Sequence, residues 1–412
     1  MKQTQLKAAK LLRAVMLIWA FAMKWLPKRS VDNPKRILVM AFGGVGDAIM
    51  MIPTLAILRE KRPNAHIALL VSTASGAPTI FQAFPELYDE LIAISPTPAS
   101  WKEAFTQNLK LMRKQFDCAL ISYISSYSLS TLLPALRSTP KHLLAIVDRH
   151  PLRKIYERLF EHRVLLFWES EMRSEILIHQ EILRGIEPTY APRAVEWRWN
   201  LVLPAEAQRL AIHWLSQNEL WEALQNRPKP FSVLHMSASS AQDYKKLPLS
   251  KLAKVVEWLS AQGVSVVVVG TPTESSSLNE LQALVNIPLR GCFHLDLLTV
   301  AALIRHAAIV LSSDSGIGHL AILVDTPTVR IFGPSFYWGF RKWKEGPFAD
   351  IFPQIECAPC LRLGILNEKG LSALNCGHRN CLNQLSEHLV IEAVQSALSE
   401  KYSALSQKQN RI

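Results

Sequence analysis

The sequence lacks a hydrophobic run long enough to cross a bilayer. The apolar stretch Ala14–Met23 has ten residues, about half of the roughly 20 that a transmembrane helix needs. A signal peptide would need a small-x-small cleavage site after this stretch, whereas Met23-Lys24-Trp25-Leu26-Pro27 is bulky and charged. The two alternatives for residues 1–33 are an interfacial helix, with Trp19 and Trp25 near lipid headgroups, and a helix packed on the protein itself.

Acidic residues are fewer than basic ones, and the excess of positive charge is concentrated near the N-terminus. The formal net charge is +12, and residues 1–36 hold nine Lys and Arg against Asp32 alone, which is 9 − 1 = +8. The rest of the chain is only mildly basic, so a nucleic-acid partner is not expected, whereas the basic extension suits an anionic membrane surface. A second basic group between Arg137 and Arg163 is either a solvated helix face or a docking site for an anionic acceptor or a membrane surface.

A dinucleotide-binding fingerprint is incomplete in this chain. The segment from Arg36 to Asp47 reads as an apolar strand, a glycine loop and the start of a helix. Ile49 stands where the fingerprint has a third Gly or Ala, and the next strand ends Leu70-Val-Ser-Thr73, without an acid to hold a ribose. NAD binding is therefore disfavoured.

The same glycine loop predicts a catalytic carboxylate. Gly43, Gly44 and Gly46 allow a tight turn and close approach to the backbone. Asp47 follows where a helix N-terminus stabilises negative charge, at the strand end where α/β proteins bind ligands. The alternative is an ordinary acidic helix start without a chemical role.

Strands and helices alternate from Pro34 and again from Phe231, which predicts parallel sheets. We therefore expect an α/β protein with two Rossmann-like, doubly wound parallel-sheet domains facing a cleft. The expected segments are a basic amphipathic extension (1–33), a first Rossmann-like domain (34–204), a hinge region (205–230), a second Rossmann-like domain (231–383) and a C-terminal helix and tail (384–412).

Two loops in the second half predict an anion site. A buried strand ends before Asp314, Ser315 and Gly316, which begin a helix whose free N–H groups and dipole favour an anion. His319 lies four residues after Ser315, on the same helix face; the alternative is an N-cap by Asp314 with His319 packed. The loop that begins at Ser237 and reaches Lys245 suits a diphosphate.

Four of the six cysteines cluster near the C-terminus. Cys357, Cys360, Cys376 and Cys381 have a spacing compatible with a structural zinc site, with His378 as an alternative ligand. Unliganded or redox-variable thiols are the alternative, and structural disulfides are not expected in the cytosol.

Together these motifs resemble glycosyltransferase family 9, the ADP-heptose:lipopolysaccharide heptosyltransferases, over about residues 36–395. The resemblance implies a GT-B fold in which residues 34–204 form the acceptor domain, residues 231–383 form the nucleotide-sugar domain, and the C-terminal helix crosses back towards the first domain. The resemblance further implies a metal-independent transfer that inverts the anomeric centre; consistent with this, the chain has no Asp-x-Asp pair. It also implies an ADP-heptose-like donor, a lipid-linked saccharide acceptor of the lipopolysaccharide core, and a peripheral position on the inner face of the cytoplasmic membrane. A catalytically lost GT-B-shaped nucleotide-sugar-binding or scaffold protein is the alternative.

The resemblance also implies roles for individual residues. Asp47 would be the general base for the acceptor hydroxyl. The donor would contact the second domain, where Asp314 would hold sugar hydroxyls and the diphosphate would meet Ser237, Lys245, Ser315, Gly316 and His319. Leu247 departs from the family, which commonly has an aromatic residue there, so the donor sugar does not follow from the motif.

Overall fold

The computed structural model describes residues 33–95, 99–124, 142–148, 162–166, 174–236, 243–335, 343–360 and 376–409. The chain divides into two compact units, Met1–Val195 and Glu196–Ile412. Three predictions concern residues outside the described ranges: the interfacial helix, the role of Ser237 and the basic group between Arg137 and Arg163, of which only the backbone of Arg163 is described.

The first unit contains a six-stranded parallel sheet with the order β3-β2-β1-β4-β5-β6. Ile37 to Ala41 of the interior strand β1 are all buried, as expected of a parallel strand covered on both faces. The strands are β1 (Arg36–Ala41), β2 (His66–Ser72), β3 (Glu90–Ile94), β4 (Cys118–Ile124), β5 (His142–Asp148) and β6 (His162–Leu166).

Two helices of the first unit position its candidate site. Helix α1 (Val45–Lys61) begins directly after the glycine loop and continues through Pro53, although a proline inside a helix ordinarily kinks or breaks it. It packs against α4 (Glu175–Glu181). The remaining described helices of the unit are α2 (Ala77–Gln82) and α3 (Trp101–Met112).

The second unit repeats the same sheet plan in the order β11-β10-β9-β12-β13-β14, again with parallel pairing throughout. The predicted class, two doubly wound parallel sheets, is confirmed. The strands are β9 (Phe231–His235), β10 (Ser265–Val269), β11 (Leu289–Cys292), β12 (Ile309–Ser313), β13 (Thr328–Ile331) and β14 (Phe348–Ile351), preceded by a short antiparallel pair, β7 (Trp221–Glu222) and β8 (Arg227–Pro228).

The helices of the second unit cover its sheet. They are α5 (Ala205–Gln217), α6 (Leu249–Ala261), α7 (Ser275–Gln282), α8 (Leu297–His306), α9 (Gly316–Leu323), α10 (Asn380–Asn383) and α11 (Glu387–Gln409). Within the predicted hinge region, α5 packs on α8. The C-terminal helix α11 packs on α6, β13 and β14 of its own unit, and its predicted crossing to the first unit stays a prediction. Among the described residues, no helix combines the length and apolarity needed to span a membrane.

Candidate active site

The glycine loop after β1 folds around the carboxylate of Asp47. The backbone N–H of Gly44 donates a 2.5 Å hydrogen bond to Asp47 Oδ2. A Cβ atom at Gly43 would collide with the Asp47 side chain, whereas one at Gly44 would lie 3.6 Å from Asp47 Oδ2, an ordinary contact. Gly43 is therefore required by the position of the carboxylate, while Gly46 is the second residue of α1.

Helix α4 brings two titratable side chains to Asp47 that the sequence analysis missed. Glu175 and His179 both act electrostatically on the carboxyl group of Asp47. Glu175 Oε1 also lies 3.3 Å from His179 Nε2, one helical turn further along α4. Both residues are buried, with 8% and 3% of their surface exposed. Their i,i+4 spacing was visible in the sequence, but nothing linked them to Asp47.

This environment raises the pKa of Asp47 from its ordinary value of 3.8 to about 7. Burial of the carboxyl group is the largest cause, and the negative charge of Glu175 adds to it. The Gly44 N–H and His179 act in the opposite direction. A carboxylate with a pKa near neutrality is suited to accept a proton at physiological pH.

In the second unit, the two predicted donor residues Lys245 and Asp314 form an ion pair. Lys245 Nζ donates to Asp314 Oδ2 at 2.7 Å. Burial alone would raise the pKa of Asp314, but the opposing interactions, those with Lys245 foremost, outweigh it, so this pKa lies below its ordinary value. Asp314 therefore stays ionised near neutral pH.

Ser315 immediately precedes α9 in an extended conformation, and no side chain caps that helix. The alternative of an Asp314 cap is therefore not what the structure shows. The Ser315 hydroxyl lies 2.9 Å from Ser312 Oγ and 3.0 Å from His235 Nδ1. Burial lowers the pKa of His235 to about 4, so this histidine is neutral. His235, at the end of β9, was also missed from the sequence.

His319 lies inside a network of buried side chains. Both of its ring nitrogens are 3.2 Å from one terminal nitrogen of Arg330, and Trp343 Nε1 donates to its Nδ1 at 3.0 Å. Arg330 in turn makes two 2.8 Å bonds to Asp350 on β14. Burial, followed by the charge of Arg330, lowers the pKa of His319 well below 6.5. A direct contact with a diphosphate stays a prediction.

The four clustered cysteines are close enough to influence one another. The pKa of Cys381 is raised to about 11 by burial first and then by Cys360, Cys357 and Cys376. All are free thiols. Within the described ranges, however, no group of three or more His, Cys, Asp or Glu side chains is arranged to hold a metal ion. The arrangement therefore does not fit a zinc site.

Leu247, where the resemblance had suggested an aromatic residue, is 3% exposed and belongs to the hydrophobic core of the second unit. Its side chain packs with the sheet and α6 rather than lying on the surface. The position is thus a core position in this chain, and its contribution to donor choice is at most indirect.

Two Rossmann-like units, each with a six-stranded parallel sheet and a polar loop at an interior strand end, define a GT-B protein. Residues 161–369, just over half of the chain, match the model of glycosyltransferase family 9 (heptosyltransferase). The chain belongs to this family and is a glycosyltransferase. The matched range contains the Lys245–Asp314 pair and Glu175, but it begins after Asp47.

The chain is 22% identical over 316 residues to lipopolysaccharide heptosyltransferase 3 of Escherichia coli K12, covering 73% of this chain and 83% of the relative. A family 9 glycosyltransferase structure from Veillonella parvula aligns with a TM-score of 0.64 at 18% identity, over 90% of this chain and 99% of that one. The ADP-heptose lipopolysaccharide heptosyltransferase II of E. coli aligns at 0.61 and 17%, over 89% and 99%. At these identities the structural matches establish the fold.

Proposed function

We propose that this protein transfers a heptose from an ADP-linked donor to a saccharide acceptor of the lipopolysaccharide core, with inversion of the anomeric centre. Membership of the heptosyltransferase family supports the class of reaction. The names of two relatives, a lipopolysaccharide heptosyltransferase and an ADP-heptose heptosyltransferase, support the donor and the acceptor.

One observation carries the catalytic part of the proposal: the glycine loop at the carboxyl end of β1 holds the Asp47 carboxylate through the Gly44 N–H. Burial there raises the pKa of Asp47 to about 7. In the proposed reaction, an acceptor hydroxyl oxygen attacks the anomeric carbon while its proton moves to Asp47. The bond between the anomeric carbon and the diphosphate oxygen breaks, and the nucleoside diphosphate leaves. A base of neutral pKa is ionised often enough to accept the proton and basic enough to hold it.

The second unit would hold the donor. Lys245 would offset the negative charge that develops on the leaving diphosphate, and the uncapped N–H groups after Ser315 would add hydrogen bonds to it. Asp314, kept ionised by Lys245, would accept hydrogen bonds from sugar hydroxyls. Ser237 and His319 complete the proposed donor set. Because Lys245 and backbone amides supply the positive charge, no metal enters the proposed chemical step.

A structural zinc at Cys357, Cys360, Cys376 and Cys381 remains a separate proposal from the sequence spacing, which the described geometry does not support. Elemental analysis of the purified full-length chain tests it. One equivalent of zinc per chain that is lost on substituting Cys357 and Cys360 by Ser would support the site, and a metal-free, folded chain would remove it.

We also propose that the protein works as a peripheral protein on the inner face of the cytoplasmic membrane, because of the basic extension and the lipid-linked acceptor. Sedimentation with vesicles tests this step. Binding to vesicles that contain anionic lipid, and its loss at high salt, is expected; equal binding to neutral vesicles, or none, would contradict it.

The donor is tested first by thermal shift with a panel of sugar nucleotides, since a ligand that binds only the folded state raises the melting temperature. We expect ADP-heptose to give the largest shift. Asp47→Asn should keep that shift but lose turnover by about 10²- to 10⁴-fold, the usual contribution of a general base. The control is Asp89→Asn, an Asp of the same unit that pairs with Arg59.

Two outcomes would contradict the proposal. Undiminished transfer by Asp47→Asn would remove the base, and donor binding without transfer or donor hydrolysis by the wild type would favour a binding protein that has lost catalysis.

A further inference from the structure

The strongest unassigned feature is the histidine at the end of β9, His235. It is buried, with 7% of its surface exposed, and it lies in register with Ser312 on the neighbouring strand β12. Both strands are interior strands of the second sheet. Their carboxyl ends lie at the edge where parallel α/β sheets bind ligands, so a polar side chain held there is a candidate for ligand binding.

Three side chains form a continuous hydrogen-bonded series at this edge. The Ser312 hydroxyl donates to the backbone carbonyl oxygen of Ser313 at 2.7 Å. The hydroxyl oxygens of Ser312 and Ser315 are 2.9 Å apart, and the Ser315 hydroxyl lies 3.0 Å from His235 Nδ1. Because each serine hydroxyl has one proton to donate, the protons can be counted along the series.

This count fixes the direction of each hydrogen bond. Ser312 gives its proton to the Ser313 carbonyl, so its oxygen accepts from Ser315. The Ser315 proton is then used, so the Ser315 oxygen accepts from His235 Nδ1, which must carry a proton. Burial lowers the pKa of His235 to about 4, so the ring is neutral near pH 7. The other ring nitrogen, Nε2, therefore has a lone pair.

This tautomer decides which ligand group can face the histidine. Within the described part of the chain, His235 Nε2 has no hydrogen-bond partner. Its lone pair repels phosphate oxygens and accepts from a hydroxyl or an N–H group. Ser315 directly follows Asp314, the residue proposed to hold sugar hydroxyls, so the lone pair beside it suits a sugar hydroxyl as well.

We propose that His235 is a specificity-determining residue of the donor site, whose Nε2 accepts a hydrogen bond from a hydroxyl group of the bound nucleotide sugar. Ser315 is a positioning residue, which acts through His235 by holding Nδ1 protonated. The inference rests on the proposed function, because it names a further residue of the same donor site. It also differs from the diphosphate contact that the family resemblance implies for Ser315, since the proton of that hydroxyl is used within the protein.

The first experiment measures the tautomer and needs no turnover. The full-length chain is labelled with nitrogen-15 histidine, and the NMR signals of His235 are identified by their loss in His235→Phe. We expect a protonated Nδ1 and an unprotonated Nε2 near neutral pH. In Ser315→Ala both signals should move towards a mixture of the two tautomers, whereas Ser315→Thr, which keeps the hydroxyl, should restore the wild-type signals.

The matched control is Ser313→Ala. Ser313 is a buried serine on the same strand, but its hydroxyl donates to the backbone carbonyl of Met236 and lies outside the series. We expect its His235 signals to match those of the wild type.

The second experiment measures ligand binding by titration calorimetry with ADP-heptose and with ADP. His235→Phe should weaken the binding of ADP-heptose about tenfold, because one hydrogen bond is lost. Ser315→Ala should weaken it by a smaller factor, and Ser313→Ala should not change it. An equal loss with ADP assigns the hydroxyl to the ribose, and a loss confined to ADP-heptose assigns it to the transferred sugar.

A protonated Nε2 in the wild type would overturn the inference and leave the proposed function standing. So would ADP-heptose binding that is unchanged in His235→Phe, or that falls equally in Ser313→Ala, because the loss would then not depend on the series. Melting temperatures of the variants check that each one is folded. If the wild type does not bind ADP-heptose, the proposed function fails, and the inference fails with it.

Discussion

Asp47 and Asp314 occupy equivalent places in the two units and have opposite electrostatics. Each follows an interior strand of a parallel sheet, β1 or β12, and lies at the beginning of a helix. Burial raises the pKa of both carboxyl groups. At Asp47 a second acid adds to that effect and the pKa rises to about 7; at Asp314 an ammonium group reverses it and the pKa falls below 3.8.

The difference between the two pKa shifts comes from the charged side chain that a neighbouring segment places beside each carboxyl group, not from the loop that carries the aspartate. Helix α4 places Glu175 against Asp47, whereas the short turn Asp243–Lys245 places an ammonium group against Asp314. A carboxyl group poised near neutrality can exchange a proton, and one that is always ionised can only bind. The same strand–loop–helix arrangement is thus suited to a proton-accepting carboxylate in one unit and to a permanently ionised, ligand-binding carboxylate in the other.

Replacing Lys245 should have the largest effect on stability, because it removes the ion-pair partner that keeps Asp314 ionised. Lys245→Met leaves Asp314 buried without its partner, which we expect to cost about 3 kcal/mol of unfolding free energy in urea denaturation. Lys246→Met is the control, because the adjacent lysine does not pair with Asp314. The double variant Lys245→Met, Asp314→Asn should recover a large part of the loss. Equal losses for the two lysine variants would contradict the assignment.

Displacing the Asp47 carboxylate should test the other side of the comparison, the proposed base of the first unit, through a loss of turnover. In Gly43→Ala the new methyl group occupies the place of the Asp47 side chain and forces it away from the Gly44 N–H. We expect turnover to fall about 100-fold, the lower end of a general base's contribution. In the control, Gly44→Ala, the methyl makes only an ordinary contact with Asp47. Comparable activity in the two alanine variants would show that the carboxylate position is not critical.

The smallest expected effect is on the pH dependence of stability, which should differ in direction between Asp47 and Asp314. The folded-state pKa of Asp47 is above its ordinary value, so its contribution to stability is present below about pH 4 and is lost as the pH rises through 7. Asp47→Asn should therefore gain a few degrees in melting temperature relative to the wild type as the pH rises towards 8.

The contribution of Asp314 to stability should depend on pH in the opposite direction. Its pKa is lowered on folding, so its contribution is present above its ordinary pKa of 3.8 and is lost as the pH falls below that value. Asp314→Asn should be less stable than the wild type at neutral pH, and the deficit should shrink in acid. Deficits that follow the same pH course in both asparagine variants would refute the contrast.

The sequence predicted the architecture well because its signals are local. The buried run Ile37–Ala41 and the glycines after it define a strand and a turn within a dozen residues, and the segment around Asp314 does the same. Lys245 and Asp314 were both named as donor residues, but their ion pair was not foreseen, because only the fold brings the two loops together.

The side chains that set the electrostatics could not be found this way. Glu175, His179 and His235 carry no motif, and they reach Asp47 and Ser315 only through packing of α4 on α1 and through the pairing of β9 with β12. Local periodicity cannot report such long-range contacts. Pro53 shows the converse limit, because a proline ordinarily breaks a helix interior, whereas the largely buried helix α1 continues through it.

Arg330 has a further consequence for the rim of the second sheet. Strand β14 is outermost, and rim strands ordinarily fray first because only one side of their backbone is paired. Here the Arg330 guanidinium on β13 hydrogen-bonds to Asp350 on β14 and also lies 3.2 Å from His319 on α9. Separating β14 from the sheet would leave the Arg330 cation buried without its carboxylate partner, so β14 and the first turns of α9 are expected to unfold together.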